Sequence, residues 1–255
     1  MPVYQINQTR WPDEFRYALN SITKNFPKNA ELTDDFRTIK FSGLSPAQVL
    51  AYDIFQLVSE VDEVIENLNM SLSDMEALGK DARTFQDRNP FNRFQFLFRM
   101  FFYEYGRFED IFAHFTQWKL KFGLLTKEKR KTDRQAFYDL YEYAIKTRNV
   151  MMHDSVSWHA ECSPELAILQ GLELIGKAAV DRAGNRLTWD AHIGPLCERT
   201  LPLMLSMGEH MQVFWSMEMA NLALALVDGG HLQKASKPYV GPHAAEFLKV
   251  NPRYQ

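Results

Sequence analysis

Residues 90–121 read PFNRFQFLFRMFFYEYGRFEDIFAHFTQWKLK, and this stretch decides the fold. Its aromatic side chains follow one another in alternating steps of four and three residues, which is the spacing of one face of an α-helix. The row comprises Phe94, Phe98, Phe101, Tyr105, Phe108, Phe112 and Phe115. A second row indicates burial on more than one side: Leu97, Met100, Ile111 and Trp118. The pattern predicts a long helix that begins at Asn89–Pro90, reaches about Phe122 and stops at Gly123. It favours a core seam over a groove for an aromatic ligand.

Helical spacing also precedes this stretch. Residues 12–24 predict a short amphipathic helix. Pro46 stands where a first helical turn tolerates proline, and apolar residues then recur over about 23 residues, as far as Leu68. Residues from Ser73 to about Phe85 predict a separate, weaker helix.

The C-terminal half continues the helical pattern with more interruptions. Residues 127–131 are expected to form a charged turn, and helical spacing resumes from Asp133. Residues 154–163 are polar and predict a loop. Ser163-Pro164-Glu165 opens a further helix that is expected to reach about Val180.

The last part of the chain predicts a turn, one more helix and a tail. The turn is expected at residues 181–186, and the flanking Val180, Leu187 and Trp189 are candidates for a very short hairpin. A long Met-rich helix is expected at about 190–228, kinked or split by Pro202, and residues 233–255 are expected to be an extended tail. The sequence therefore predicts an all-α fold, a bundle of long antiparallel helices, as one domain over residues 1–255.

The composition is that of an ordinary globular protein. Hydrophobic residues make up 46% and charged residues 24% of the 255 residues, and there are 19 Phe, 10 Tyr and 5 Trp. A chain of this size and composition buries a core, which argues against long disordered stretches. The formal net charge of −3 argues against a protein that coats nucleic acid generally, but it leaves room for a local basic patch.

Other classes are also disfavoured. Cys162 and Cys197 are too few for a disulfide framework and lack metal-ligand spacing, which favours two buried thiols. The start, MPVYQINQTRW, lacks a basic segment followed by an apolar one, so no signal peptide is expected. No window of about 20 residues is free of charge, so we expect no membrane span and a cytoplasmic protein.

Residues 148–153 read RNVMMH and combine two groups suited to phosphate chemistry. A guanidinium can clamp a phosphate through two parallel hydrogen bonds, and an imidazole exchanges protons near neutrality. The Arg-to-His spacing alone is a weak signal, because Arg107–His114 and Arg186–His192 have similar spacings.

Three features distinguish this string from the other two. Asn149 directly follows Arg148, and the next three residues are apolar. Arg148 also continues an apolar row, where a cation needs a partner or a purpose because burying an unpaired charge is costly. That row is Phe137, Tyr141 and Ala144. The helix is expected to end here, and a change of backbone direction at residues 152–154 would let Arg148 and His153 converge.

The string resembles the Arg-x(4–6)-His motif of the HEPN superfamily, in which Asn, Asp or His often follows the Arg, as Asn149 does here. HEPN proteins are α-helical bundles. Many are metal-independent endoribonucleases of toxin–antitoxin or antiviral systems, and some have lost catalysis. They commonly dimerise so that two motifs face one groove. The resemblance implies an HEPN-like core at about 91–228, with helices of residues 12–85 packed on it. It also implies a homodimer, with RNA as substrate and an antitoxin or other protein as a candidate partner.

The resemblance further implies transesterification of RNA without a metal or other cofactor. The 2′-OH would attack the neighbouring phosphate and leave a 2′,3′-cyclic phosphate, which requires RNA rather than DNA. His153 would act as general base or acid, and Arg148 would hold the phosphate and stabilise the transition state. Asn149 would orient His153 or the phosphate.

Further residues are candidates for supporting roles. Asp154 would set the imidazole tautomer or cap the next turn. Glu104 and Glu142 are candidate acidic partners for Arg148. The cations Lys127, Lys129, Arg130 and Lys131 would contact the RNA backbone, although a solvated helix start explains them as well.

Two alternatives to catalysis stay open. In the first, the chain is a non-catalytic HEPN-like module that binds RNA, a nucleotide or a protein. In the second, it is an unrelated helical protein in which Arg148 bridges two helices and the helix C-terminal dipole favours His153 at its position. No metal-binding triad is readable among the other histidines.

Overall fold

The computed structural model describes residues 4–24, 30–32, 39–41, 46–85, 90–153 and 188–232, and among residues 169–186 it describes 169, 171–172, 175–178, 180, 183–184 and 186. Over these ranges the chain forms α1 (Asp13–Lys24), β1 (Ala30–Leu32), β2 (Ile39–Phe41), α2 (Pro46–Lys80), α3 (Pro90–Lys121), α4 (Lys127–His153) and α5 (Trp189–Asp228). The predicted all-α helical bundle is confirmed. The two short strands add an antiparallel pair in which Glu31 lies opposite Lys40.

Helix α3 has the extent that its aromatic spacing predicts. Pro90 is its first residue, and the aromatic row is buried apart from the half-buried Phe98. The helix ends at a glycine cap. Gly123 has a φ of 70°, and the N–H of Leu124 donates to the Lys119 carbonyl at 2.9 Å. This left-handed cap satisfies carbonyls at the end of the helix, so the stop predicted at Gly123 is confirmed.

Helix α4 packs antiparallel to α3 through ring contacts. Phe137 stacks on Phe112 with centroids 4.4 Å apart, and Tyr141 meets Tyr105 edge to face at 6.0 Å. The expectation of a charged turn at residues 127–131 is wrong, because these residues form the first turns of α4. Thr126 explains the difference: its Oγ1 accepts a hydrogen bond from the Lys129 N–H at 3.2 Å, which caps the helix.

Helix α2 is longer than expected, and the separate helix from Ser73 to Phe85 is wrong. One helix continues to Lys80, because Leu72, Met75 and Leu78 extend the buried seam with no exposed surface. Ser71 fits within the helix by donating its hydroxyl to the Asn67 carbonyl at 3.1 Å. The seam therefore outweighs the local run of polar residues.

Helix α5 contains two prolines, and Pro202, which was expected to kink or split the helix, does not split it. The helix continues without a break through Pro195 and Pro202. It ends at Asp228, as predicted, and Gly230 follows with a φ of 71°. Before the helix, Val180 forms an isolated antiparallel bridge with Arg186. The expected pairing of Val180 across a turn is thus present with Arg186 as its partner, whereas Trp189 begins α5.

Several predictions fall outside the described residues. These are the loop at 154–163, most of the helix from Ser163 to Val180, and the tail at 233–255. Among the described residues, no helix is both long and apolar enough to cross a membrane.

Two compact units divide the chain: Met1–Gln8 with Val61–Val213, and Thr9–Glu60 with Phe214–Gln255. The first contains α3 and α4, and in it the Ile6 backbone exchanges hydrogen bonds of 2.7 and 3.0 Å with the Asn69 amide. In the second, the Arg10 N–H donates to Ser216 Oγ at 3.2 Å. The single domain, and the packing of residues 12–85 on a core at 91–228, stay predictions.

The close approach of α2 to α5 at Gly79 gives a test of the packing. A Cβ at Gly79 would lie 2.8 Å from Cys197 Cβ. We expect Gly79→Ala to lower the free energy of unfolding by about 1–3 kcal/mol in urea denaturation, because the clash is with a buried side chain. Gly171→Ala is the control, since among the described residues nothing beyond its own stretch of chain lies within 4 Å of the added methyl. Equal stability of the two variants would contradict the close approach.

Candidate functional site

The RNVMMH string forms the last turns of α4, which runs without a break to His153. The expected change of backbone direction at residues 152–154 stays a prediction, because the chain is helical as far as His153 and Asp154 lies outside the described residues. Positions five apart on a continuous helix lie about 140° apart around its axis. The backbone positions of Arg148 and His153 thus diverge within one copy of the chain. The side chain of His153 is outside the described part of the structure.

Arg148 lies across α3. Its Nη2 is 3.3 Å from Glu109 Oε2, and its Nη1 donates to the Gly106 carbonyl at 3.5 Å. Its Nε and Nη2 donate to Asn149 Oδ1 at 3.3 and 3.2 Å. Only 23% of the Arg148 side chain is exposed, compared with 31% for Glu109. Arg148, the cation on the apolar face of α4, therefore has an acidic partner on α3.

Gly106 makes room for this arrangement. A Cβ at this position would lie 2.5 Å from both Cδ and Nη1 of Arg148. Any larger residue at 106 would displace the guanidinium, so the absence of a side chain here is what lets Arg148 lie against α3.

The expected acidic partners of Arg148 are wrong. Glu104 instead binds Arg107 at 2.9 Å, one helical turn along α3, and Arg107 also reaches Glu63 at 3.2 Å. Glu142 binds Lys146 at 2.6 Å, and this hydrogen bond raises the pKa of Lys146. Helical spacing of three or four residues explains both pairs.

Glu109 is the acidic partner of Arg148, and it was not among the residues predicted from the sequence. Its position held a signal, because Glu109 stands four residues after Tyr105 and three before Phe112, the two rings that contact α4. That signal becomes readable only when the register between α3 and α4 is known.

A groove of about 650 Å³ lies beside this contact. Its lining is basic on the α4 side and mixed elsewhere: Glu109, Phe112, Gln117, Leu120, Lys127, Arg130, Lys131, Arg134, Gln135, Phe137 and Tyr138. Within the described residues, the Nε of Arg130 is buried without a hydrogen-bond partner. Three of the four cations proposed for RNA contact are thus brought together. Lys129 is not in the lining, and its ammonium pairs with Asp133 at 2.7 Å.

Glu109 connects the groove with the RNVMMH string. Its side chain lines the groove, and its carboxylate binds Arg148. Among the described residues that line the groove, Glu109 is the one carboxylate, beside four cations. An anionic ligand in this groove would lie close to the Glu109–Arg148 pair.

The buried titratable groups near α3 and α5 are not suited to proton transfer near neutrality. Burial raises the pKa of Tyr141 to about 12, and burial together with Tyr141 raises the pKa of Tyr105 above its ordinary value. Burial and the nearby Glu198 raise the pKa of Cys197 to about 12. The prediction of a buried thiol is confirmed for Cys197, whereas Cys162 lies outside the described residues.

No protein-family model, curated protein or solved structure matches the chain. In the described ranges, no group of three or more His, Cys, Asp or Glu side chains is placed to hold a metal ion. The resemblance to HEPN proteins therefore rests on residues 148–153 and the helical fold.

The contacts of Arg148 predict a loss of stability when it is removed. We expect Arg148→Ala to lower the free energy of unfolding by about 1–2 kcal/mol, because it removes packing over Gly106 and leaves Glu109 unpaired. Arg134→Ala, at an exposed position of the same helix, should change it by less than about 0.5 kcal/mol. Urea denaturation of both variants measures the difference. Wild-type stability in Arg148→Ala would argue against the observed contacts.

Proposed function

We propose that the chain binds single-stranded RNA through its phosphates in the groove between α3 and α4. The observation that carries this proposal is the set of four cations that line one groove, Lys127, Arg130, Lys131 and Arg134. They occupy positions i, i+3, i+4 and i+7 and so share one face of α4 over about 10 Å of helix. Such a row offers repeated contacts to a phosphate backbone.

The other groove residues favour a flexible single strand. Tyr138 is half-buried in the lining and presents an aromatic ring beside the cations. Gln117 adds an amide that can hydrogen-bond to base edges, whereas Nε2 of Gln135 donates to Asp139 Oδ1 at 2.7 Å and leaves its Oε1 as an acceptor. Stacking on aromatic rings and hydrogen bonds to unpaired bases are typical of proteins that bind single-stranded RNA.

A second candidate function is metal-independent cleavage of the bound RNA, as the resemblance to HEPN endoribonucleases implies. The observation that favours it is the contact between Glu109, which lines the basic groove, and Arg148, whose Nη2 also donates to Asn149. Arg148 would hold the scissile phosphate, and His153 would take the proton of the attacking 2′-OH. The P–O5′ bond would then break, and the leaving 5′-oxygen would take a proton from water. Such an enzyme would act in a toxin–antitoxin or antiviral system of the cytoplasm, with an antitoxin or other protein as partner.

A homodimer would solve the geometric problem of this reaction. Arg148 and His153 diverge on one helix, so a second copy would bring its own motif to complete the site. Helix α4 offers two exposed apolar side chains for that contact, Leu140 at 66% and Tyr143 at 68% exposed.

The binding proposal predicts different effects on RNA affinity for Lys131 and Lys129, which are two positions apart. We expect Lys131→Ala to weaken binding of a fluorescent oligouridine by about three- to tenfold and to reduce the salt slope by about 0.7, because one phosphate contact is lost. Lys129→Ala removes the same charge outside the groove and should have a smaller effect. Fluorescence anisotropy over a salt series measures both. Equal losses would point to general charge attraction rather than to the groove.

The cleavage proposal requires cyclic-phosphate ends in the absence of metal. The wild-type protein in EDTA should produce RNA fragments with 2′,3′-cyclic phosphates, and His153→Ala should reduce the rate by about 10²- to 10⁴-fold because proton transfer is lost. Lys129→Ala is the matched control for charge. Cleavage that persists unchanged in His153→Ala would remove this candidate function.

A site shared between two copies can be tested by mixing variants. Arg148→Ala and His153→Ala should each be inactive alone, whereas a mixture that exchanges subunits should recover part of the activity. A mixture that forms mixed dimers but stays inactive would argue against a shared site.

A further inference from the structure

The contact between Glu109 and Arg148 lies at the edge of the basic groove, a position that an ion pair with a purely structural role does not need. Glu109 faces a groove lined by four cations, yet its carboxylate binds a cation outside that lining. The carboxylate therefore lies on Arg148, where a phosphate oxygen of a ligand extending from the groove would bind. A carboxylate and a phosphate offer a guanidinium the same kind of acceptor.

We propose that Glu109 is an internal competitor of the RNA phosphate, which holds Arg148 in a closed contact until bound RNA displaces it. This inference rests on the proposed binding of RNA in the groove and adds its regulation. Glu109 acts through Arg148, so it is a positioning residue.

The donors of Arg148 are occupied in a way that suits such an exchange. Nη2 is shared between Glu109 and Asn149, and Nη1 reaches the Gly106 carbonyl at the long distance of 3.5 Å. The Glu109 side chain is 31% exposed, so water screens its attraction to Arg148. A ligand phosphate carries comparable charge and is drawn in by the groove cations as well, which favours replacement of the carboxylate.

Replacement of the Glu109 carboxylate by a phosphate also gives the cations of the groove a specific role. The part of the RNA affinity that Arg148 contributes is multiplied by the fraction of time that the Glu109–Arg148 contact is open. The row from Lys127 to Arg134 binds RNA without Arg148 and thereby raises the local phosphate concentration beside the contact.

Three variants isolate the competition. Glu109→Gln removes the carboxylate charge and keeps the shape of the side chain. Asp110→Asn removes the same charge at the next residue, which is exposed on α3. Gly106→Ala leaves the charge unchanged but adds a methyl 2.5 Å from Cδ and Nη1 of Arg148, which displaces the guanidinium.

The first measurement is the exposure of Arg148 in each full-length variant. An arginine-selective dicarbonyl reagent, followed by peptide mass spectrometry, reports the labelling rate of Arg148. We expect about a two- to fivefold faster rate in Glu109→Gln and Gly106→Ala, the range that follows from losing a partly exposed ion pair. Asp110→Asn should label as the wild type does. Arg107, held by Glu63 and Glu104, is the internal reference and should not change in any variant.

The second measurement is binding of the fluorescent oligouridine over a salt series. Glu109→Gln should bind about two- to fivefold more tightly, with a salt slope steeper by about 0.7, because Arg148 becomes available for one more phosphate. The double variant Glu109→Gln with Arg148→Ala should lose that gain. Asp110→Asn controls for the change in net charge.

Faster Arg148 labelling with a tighter, steeper and Arg148-dependent binding of RNA supports the competition. If Glu109→Gln matches Asp110→Asn in both measurements while the wild type binds RNA, the competition is wrong and the binding function stands. A parallel rise in Arg107 labelling would mean that the helix has loosened, which also overturns it. Absence of RNA binding by every variant rejects the proposed function itself.

Discussion

The antiparallel packing of α4 on α3 through aromatic rings is the constraint on which the candidate site depends. The stack of Phe112 on Phe137, with centroids 4.4 Å apart, and the contact of Tyr105 with Tyr141 fix the register of the two helices. In that register Arg148 lies over Gly106 and reaches Glu109. A shift by one helical turn of about 5.4 Å would separate Arg148 from both, so the rings position the polar contact.

The helical spacing of apolar residues predicted where the helices lie, whereas runs of polar residues were a poor guide to where the helices begin and end. The aromatic row gave α3 its extent, because so many large side chains at helical spacing have no other way to be buried. The expected end of α2 near Leu68 was wrong because Leu72 and Met75 continue the seam past Ser71. The expected turn at residues 127–131 was wrong because charge does not break a helix that Thr126 caps.

The candidate site was predictable from the sequence where it depends on one helix, and not where it depends on two. Arg148 was recognisable as a cation on an apolar row. The spacing of residues 127, 130, 131 and 134 could also have separated Lys131 from Lys129, since only one of them shares the face of the other cations. The partner of Arg148 was not predictable, because the choice among Glu104, Glu109 and Glu142 follows from the register of α3 and α4.

On the proposed function, Arg148 would both hold α4 against α3 and bind a phosphate, and the strength of its contacts with α3 would decide how far these two roles conflict. A deeply buried ion pair would resist exchange, because separating it leaves two desolvated charges. The pair with Glu109 is 23% and 31% exposed, so water can solvate either partner during an exchange. Gly106 and Asn149 would still surround the guanidinium while the carboxylate leaves. On the proposed function, a chain with a net charge of −3 would present a phosphate site, because the cations of α4 would act locally and one internal carboxylate would set how readily Arg148 joins them.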